Sequence, residues 1–108
     1  MNEIDALRSL AALSQATRLA IFRTLVAAGP EGLRPGELAL RLEVLASSLS
    51  FHLKELLHAQ LITQQREGKF LIYRAEFARM NALLAYLTDN CCQGQPCVDL
   101  AALSCREC

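Results

Sequence analysis

The sequence predicts a mainly α-helical domain with a single β-hairpin, and three observations carry that expectation. Apolar residues recur at intervals of three and four through most of residues 1–90, as on the buried stripe of a helix. Between Leu61 and Tyr73 the pattern changes to short β-rich runs on either side of Gly68. Glycine and proline punctuate the boundaries, as at Gly29-Pro30 and Pro35. At 108 residues the chain is expected to form one core and to gain from self-association.

A first helix is expected over residues 2–13, with Asn2 as its cap and Ile4, Leu7, Leu10 and Ala11 on one side. Ser14 is the expected cap of a second, Ala16–Ala28, whose Leu19, Phe22, Leu25 and Val26 face inward. Gly29-Pro30 stops it, a residue that tolerates a left-handed turn followed by one that cannot continue a helix. Pro35 suits the first position of a third helix, which ends at Arg41 or Leu42 and buries Leu38, Ala39 and Leu42. A four-residue connection over 43–46 leads into Ala46–His58, and two short helices joined so tightly are a helix-turn-helix candidate.

In Ala46–His58, Leu49, Leu53, Leu56 and Leu57 form one apolar stripe. Projected at about 100° per residue, Ser47, Phe51, Lys54 and His58 fall on the opposite side, flanked by Ser48 and Ser50. Short hydroxyl side chains at the start of a helix suit phosphates or base edges in a major groove, and a neighbouring phenyl ring suits a thymine methyl. The same pattern also describes a solvated helix face, so the flanking segments decide. Residues 61–63 turn β-like, 65–69 carry turn chemistry, and 70–73 form a second β-rich run. Arg66 and Lys69 then stand at the hairpin tip, placed to grip phosphate or the minor groove. A last helix over 76–90 carries Phe77, Met80, Leu83, Leu84 and Leu87, a wide apolar stripe for a small domain. Helices, a recognition helix and a hairpin in this order make a winged helix-turn-helix.

Formal net charge is zero, so DNA binding has to rest on local basic patches, doubled by symmetry, rather than on overall charge. The apolar runs are too short to cross a bilayer, and Met-Asn-Glu-Ile-Asp lacks the basic-then-apolar order of a secretory signal. A cytoplasmic protein with no membrane partner is expected. Its five cysteines, Cys91, Cys92, Cys97, Cys105 and Cys108, all follow residue 90. An odd number of thiols crowded into one end of such a chain points to metal, metalloid or redox chemistry rather than a disulfide framework.

Several runs resemble the ArsR/SmtB family of metal-responsive bacterial repressors. Leu13-Ser14-Gln15-Ala16-Thr17-Arg18-Leu19 is similar to the segment opening that family's second helix, and Ser50-Phe51-His52-Leu53-Lys54-Glu55-Leu56 to its recognition-helix signature. Leu61-Ile62, Arg66-Glu67-Gly68-Lys69 and Tyr73 resemble its wing. Together the matches span roughly residues 4–88 in the family's order. The chain departs from the pattern at Glu43, where Gly is common, at Ala46, where Gln is common, and at Phe51, where Arg or His is common. It also lacks the thiol that some arsenic sensors carry near residues 37–40 and the histidines that zinc sensors carry on the last helix, so sensing at either place is not expected. The resemblance implies a homodimer joined through its first and last helices, bound to a palindromic operator on double-stranded DNA. The leucines of those two helices, which want a partner surface, agree with it.

Adjacent side chains on a helix diverge by about 100°, so Cys91 and Cys92 can meet on one atom only if the helix ends near Asn90. Gly94 and Pro96 then shape a return to Cys97. Trivalent arsenic and antimony are thiophilic and take three sulfurs in a pyramid, and some arsenic-responsive family members carry a Cys-Cys pair with a third Cys at this point. Cys91, Cys92 and Cys97 resemble that site. Zinc on four thiols such as Cys92, Cys97, Cys105 and Cys108, cadmium or lead on a subset, and thiol oxidation use the same atoms. Catalysis is not expected: a phosphatase-like or arsenate-reducing loop needs a Cys with an Arg six positions on, and no Cys here has one.

The expected organisation is a DNA-binding and dimerisation domain over 1–90 and a cysteine-rich metalloid-binding tail over 91–108. The expected activity is an operator-bound repressor released by arsenite or antimonite. Ser47, Ser48, Ser50, Phe51, Lys54, Arg66 and Lys69 would meet DNA, and Cys91, Cys92 and Cys97 the metalloid.

Overall fold

The computed structural model describes residues 1–90; the tail over 91–108, with all five cysteines, lies outside the described residues. Helix α1, Glu3–Leu13, starts where Asn2 Oδ1 accepts the Asp5 N–H at 2.7 Å, with Glu3 and Asp5 in the first turn opposing the positive helix end. Its small residues Ala6, Ser9 and Ala12 are buried, while Ile4 and Leu7 are 67% and 59% exposed. The side on which the sequence places Ile4, Leu7, Leu10 and Ala11 is therefore the outer one.

Helix α2, Ala16–Ala28, is capped by Gln15, whose Oε1 accepts the Arg18 N–H at 2.8 Å, and not by Ser14, which ends α1. Ser14 is taken because its own N–H closes the last turn of α1 on Ala11 O. The inward residues of α2 are Ile21, Phe22 and Leu25; Leu19 is 43% exposed, contrary to expectation. This helix is apolar nearly all round, so periodicity alone does not choose its buried stripe. Gly29 ends it with φ 68°, a conformation open to glycine, and a single 3₁₀ turn covers Gly29–Glu31.

Helix α3, Pro35–Leu42, opens on Pro35, and Glu37 Oε1 accepts the Arg34 N–H at 3.2 Å. It closes on Glu43 at φ 54°, ψ 48°. That left-handed conformation explains why glycine is favoured there in the family the sequence resembles. The connection to helix α4, Ala46–His58, is one residue shorter than expected because Ala46 is already helical. Leu49, Leu53 and Leu56 of α4 are buried in the core with Ile21, Leu25, Leu38, Leu61 and Tyr73. Its end is a left-handed cap: Gln60 has φ 62°, its N–H goes to Leu57 O at 3.0 Å, and the Leu61 N–H goes to Leu56 O at 3.1 Å.

Strands β1, Ile62–Glu67, and β2, Phe70–Ala75, pair antiparallel with Ile62 opposite Ala75 and Glu67 opposite Phe70. The turn is thus only Gly68-Lys69, with Gly68 at φ 63°. The expected turn over 65–69 is too long, because Gln65, Arg66 and Glu67 continue the ladder. The hairpin is anchored to the domain by Leu33, which exchanges both backbone hydrogen bonds with Tyr73 at 2.8 and 2.9 Å. Burial raises the Tyr73 phenol above its ordinary pKa, so it stays neutral beneath the wing.

Beside that bridge, Gly32 has φ 67°, and a Cβ placed on it would lie 2.5 Å from Tyr73 O and 2.7 Å from Arg74 Cγ. Gly32→Ala is expected to cost about 2 kcal/mol and to lower the thermal midpoint by roughly 8–16 °C. A calorimetric midpoint equal to that of the parent would contradict this packing.

Helix α5, Phe77–Leu87, begins at Glu76, whose Oε1 accepts the Ala78 N–H at 3.3 Å and whose own N–H binds Leu61 O. It ends at Leu87 rather than near Asn90. Thr88 turns its hydroxyl back onto Leu84 O at 2.8 Å, and Asn90 takes φ 56°. Leu83 faces inward, and Leu84, Tyr86 and Leu87 face out. An ion pair of 3.6 Å between Arg79 and Asp5 joins α5 to α1. No described helix is long and apolar enough to cross a membrane.

Candidate nucleic-acid interface

Burial of Leu49, Leu53 and Leu56 fixes the rotation of α4, and that rotation turns Ser47, Ser48, Ser50, Phe51 and Lys54 outward together. All five are exposed, Phe51 at 56%. An exposed phenyl ring thus stands among hydroxyls and one ammonium on this face of α4. The two cations expected at the hairpin tip occupy different places. Lys69 is in the turn, whereas Arg66 is on β1 opposite Leu71.

The electrostatics of the hairpin leave those cations dominant. Its one acidic residue, Glu67, is paired with Arg74 at 3.3 Å. Arg74 is itself held by Pro30 O and Gln65 Oε1, each at 2.7 Å. The pair is partly exposed and adds little stability, but it offsets the carboxylate next to the tip.

Sequence reasoning missed what holds the recognition helix from behind. Arg18 Nε donates to Ala12 O at 2.7 Å, and Arg18 Nη1 donates to His52 Nδ1 at 3.2 Å. One guanidinium thereby ties the end of α1, the start of α2 and the middle of α4. Arginine has no acceptor, so Nδ1 of His52 must present its lone pair and the ring hydrogen sits on Nε2. The His52 ring meets Phe51 edge to face, with centroids 5.4 Å apart. Nitrogen NMR is expected to find His52 as the Nε2–H tautomer, with Arg18→Ala converting it to a mixture. An Nδ1–H ring in the unaltered chain would contradict the contact. Arg18 and His52 are 34 positions apart, and only their presence in the two family-like runs hinted that both matter.

Among the described residues, no three His, Cys, Asp or Glu side chains converge on a point that could hold a metal. The expected ligands Cys91, Cys92 and Cys97 lie outside the described residues.

The chain matches a family model described as a helix-turn-helix domain over residues 13–65. No match is found among curated proteins. Among solved structures it is similar to an ArsR-like transcriptional regulator from Rhodococcus sp. RHA1, at 30% identity over 78% of this chain and 76% of that one, with a TM-score of 0.70. It is also similar to reduced HlyU from Vibrio cholerae N16961, at 30% identity over 85% and 94% of the two chains, with a TM-score of 0.66. A homodimeric winged helix-turn-helix DNA-binding domain, Mb0332 from Mycobacterium bovis, shares the fold at 24% identity over 88% of each chain, with a TM-score of 0.62. The order of helices and hairpin, the outward polar face of α4 and these likenesses agree: the chain belongs to the ArsR family of transcriptional regulators and binds DNA through a winged helix-turn-helix.

Proposed function

We propose that the protein is a dimeric repressor that occupies a palindromic operator and leaves it when arsenite or antimonite binds Cys91, Cys92 and Cys97. The observation that carries the DNA half is the outer face of α4, where Ser47, Ser48, Ser50, Phe51 and Lys54 are exposed above buried leucines. In this reading those side chains enter the major groove while Arg66 and Lys69 hold the backbone from the wing. Support for the dimer comes from α1 and α5, which contact each other and leave Ile4, Leu7, Leu10, Leu84 and Leu87 exposed. The Mb0332 domain, of the same fold, is a homodimer. Two-fold symmetry sets two recognition helices roughly 34 Å apart, one turn of DNA.

The inducer half rests on the chemistry of the thiols. Deprotonated sulfurs are the donors that trivalent arsenic prefers, and because the thiols follow α5 in the chain, their capture would act on a helix of the proposed subunit contact. A small rotation between subunits then spoils the half-site spacing. The site of action of such a repressor is the cytoplasm.

Fluorescence anisotropy with a duplex from the gene's own promoter tests the DNA half. Binding is expected to weaken steeply between about 50 and 200 mM salt. Absence of binding to any duplex at the lower salt would overturn it. A second reading uses the same sulfurs as a redox switch or as a cadmium, lead or zinc site. HlyU, to which the chain is similar, was solved in a reduced form, and Cys105-Arg-Glu-Cys108 has metal-pair spacing. Release from the operator by peroxide or by cadmium, with none by arsenite, would select it.

A further inference from the structure

We infer that Arg34, held against the face of Phe70, is a third backbone-gripping cation of the DNA interface and clamps a phosphate between the start of α3 and the wing. The inference rests on DNA binding by the winged helix-turn-helix and names a contact outside the recognition helix and the hairpin cations. Arg34 precedes Pro35 directly, and its guanidinium carbon lies 3.8 Å from the centroid of the Phe70 ring. At that distance the ring quadrupole attracts the cation and restricts its side chain. Phe70 itself is half-exposed at the end of β2 that adjoins the turn. Both residues line one open cleft with Lys69, Pro35, Gly36 and Glu37.

Charge and position identify what the cleft takes. Two cations, Arg34 and Lys69, face one carboxylate, that of Glu37, which already accepts the Arg34 backbone N–H at 3.2 Å. Glu67, the nearest acid of the hairpin, is engaged by Arg74. The cleft therefore carries an excess of positive charge. It is continuous with the wing turn, and in a helix-turn-helix the first helix is the one that crosses the DNA backbone. A duplex phosphate fits these conditions: it is anionic, it accepts the paired N–H groups of a guanidinium, and it needs no pocket deep enough to exclude water. Stacking on Phe70 matters because an exposed arginine otherwise loses much side-chain entropy on binding. The ring removes part of that cost beforehand.

The test is operator binding by anisotropy over a salt series, using full-length reduced protein and four variants. Arg34→Ala is expected to weaken binding about tenfold and to reduce the magnitude of the log–log salt slope by roughly 2, one phosphate from each subunit. Phe70→Leu keeps every charge and is expected to weaken binding about threefold, whereas Phe70→Tyr should match the parent. Arg34→Lys, a cation that stacks less well, should fall between the parent and Arg34→Ala. Thermal midpoints near that of the parent confirm that the variants are folded. If the parent binds and Arg34→Ala retains both its affinity and its salt slope, the clamp is refuted while the DNA-binding reading stands. If Phe70→Leu equals the parent while Arg34→Ala is impaired, the role assigned to the ring is refuted. A parent that binds no duplex overturns both readings together.

Discussion

Replacing Cys91 and Cys92 together by serine is expected to leave operator affinity within about twofold of the parent and to abolish its response to arsenite. Serine keeps the size of the side chain but replaces a polarizable thiolate with a hard hydroxyl that does not ionise at neutral pH, and trivalent arsenic forms stable bonds to the former. In the parent, arsenite is expected to weaken operator binding about a hundredfold, which corresponds to about 2.7 kcal/mol of coupling between the two sites. The double variant should lose all of it. Anisotropy in the presence and absence of arsenite measures both quantities. A variant that is still released by arsenite would place the ligands elsewhere, and one that no longer binds DNA would give these residues a structural role. Cys97→Ser separates the ligand classes: with two thiols left, a methylated arsenical with two exchangeable positions should still induce, and arsenite should do so poorly.

The second large effect is expected from the outer leucines. Leu7 and Leu87 are 59% and 55% exposed on two helices that touch each other. Leu7→Glu combined with Leu87→Glu places four carboxylates in the proposed subunit contact, where desolvation and mutual repulsion oppose burial. In the isolated chain the same positions face water, so the domain should fold as before. Sedimentation is expected to show a monomer, and operator affinity to fall a hundredfold or more because the second half-site is no longer engaged by a tethered partner. A dimer that survives both substitutions would contradict the assignment of α1 and α5 as the subunit contact.

These two tests address residues that the sequence singles out; what the sequence makes legible in the described fold is local. Leu49, Leu53 and Leu56 repeat at helical spacing, so the exposure of Ser47, Phe51 and Lys54 follows from their position between the leucines. Gly29-Pro30 and Pro35 are decided by their own backbone chemistry, and the turns they announce are present. Where a segment's own pattern is ambiguous, tertiary packing decides which residues are buried. Helix α2 is apolar on several sides, so its pattern points Leu19 inward although Ile21 takes that place. The hairpin residues Gln65, Arg66 and Glu67 are polar and suggest a turn, yet ladder pairing with Ile72, Leu71 and Phe70 keeps them extended. Contacts between distant positions were not legible at all. Arg18 on His52 and Arg34 on Phe70 exist because packing of the helices and of the Leu33–Tyr73 bridge brings separate runs together. Of the expected site, Ser47, Ser48, Ser50, Phe51 and Lys54 lie on one helix and Arg66 and Lys69 on one hairpin. The expected thiol ligands lie outside the described residues, and their proposed role rests on the chemistry of sulfur and on their resemblance to a thiol site of some family members.

The most direct measurement is therefore a titration of arsenite into reduced, full-length protein bound to a labelled duplex from its own promoter, with bound arsenic counted in parallel by mass spectrometry. Loss of anisotropy that saturates at one metalloid per subunit is the predicted result. Full loading of the thiols with undiminished promoter occupancy would contradict the account.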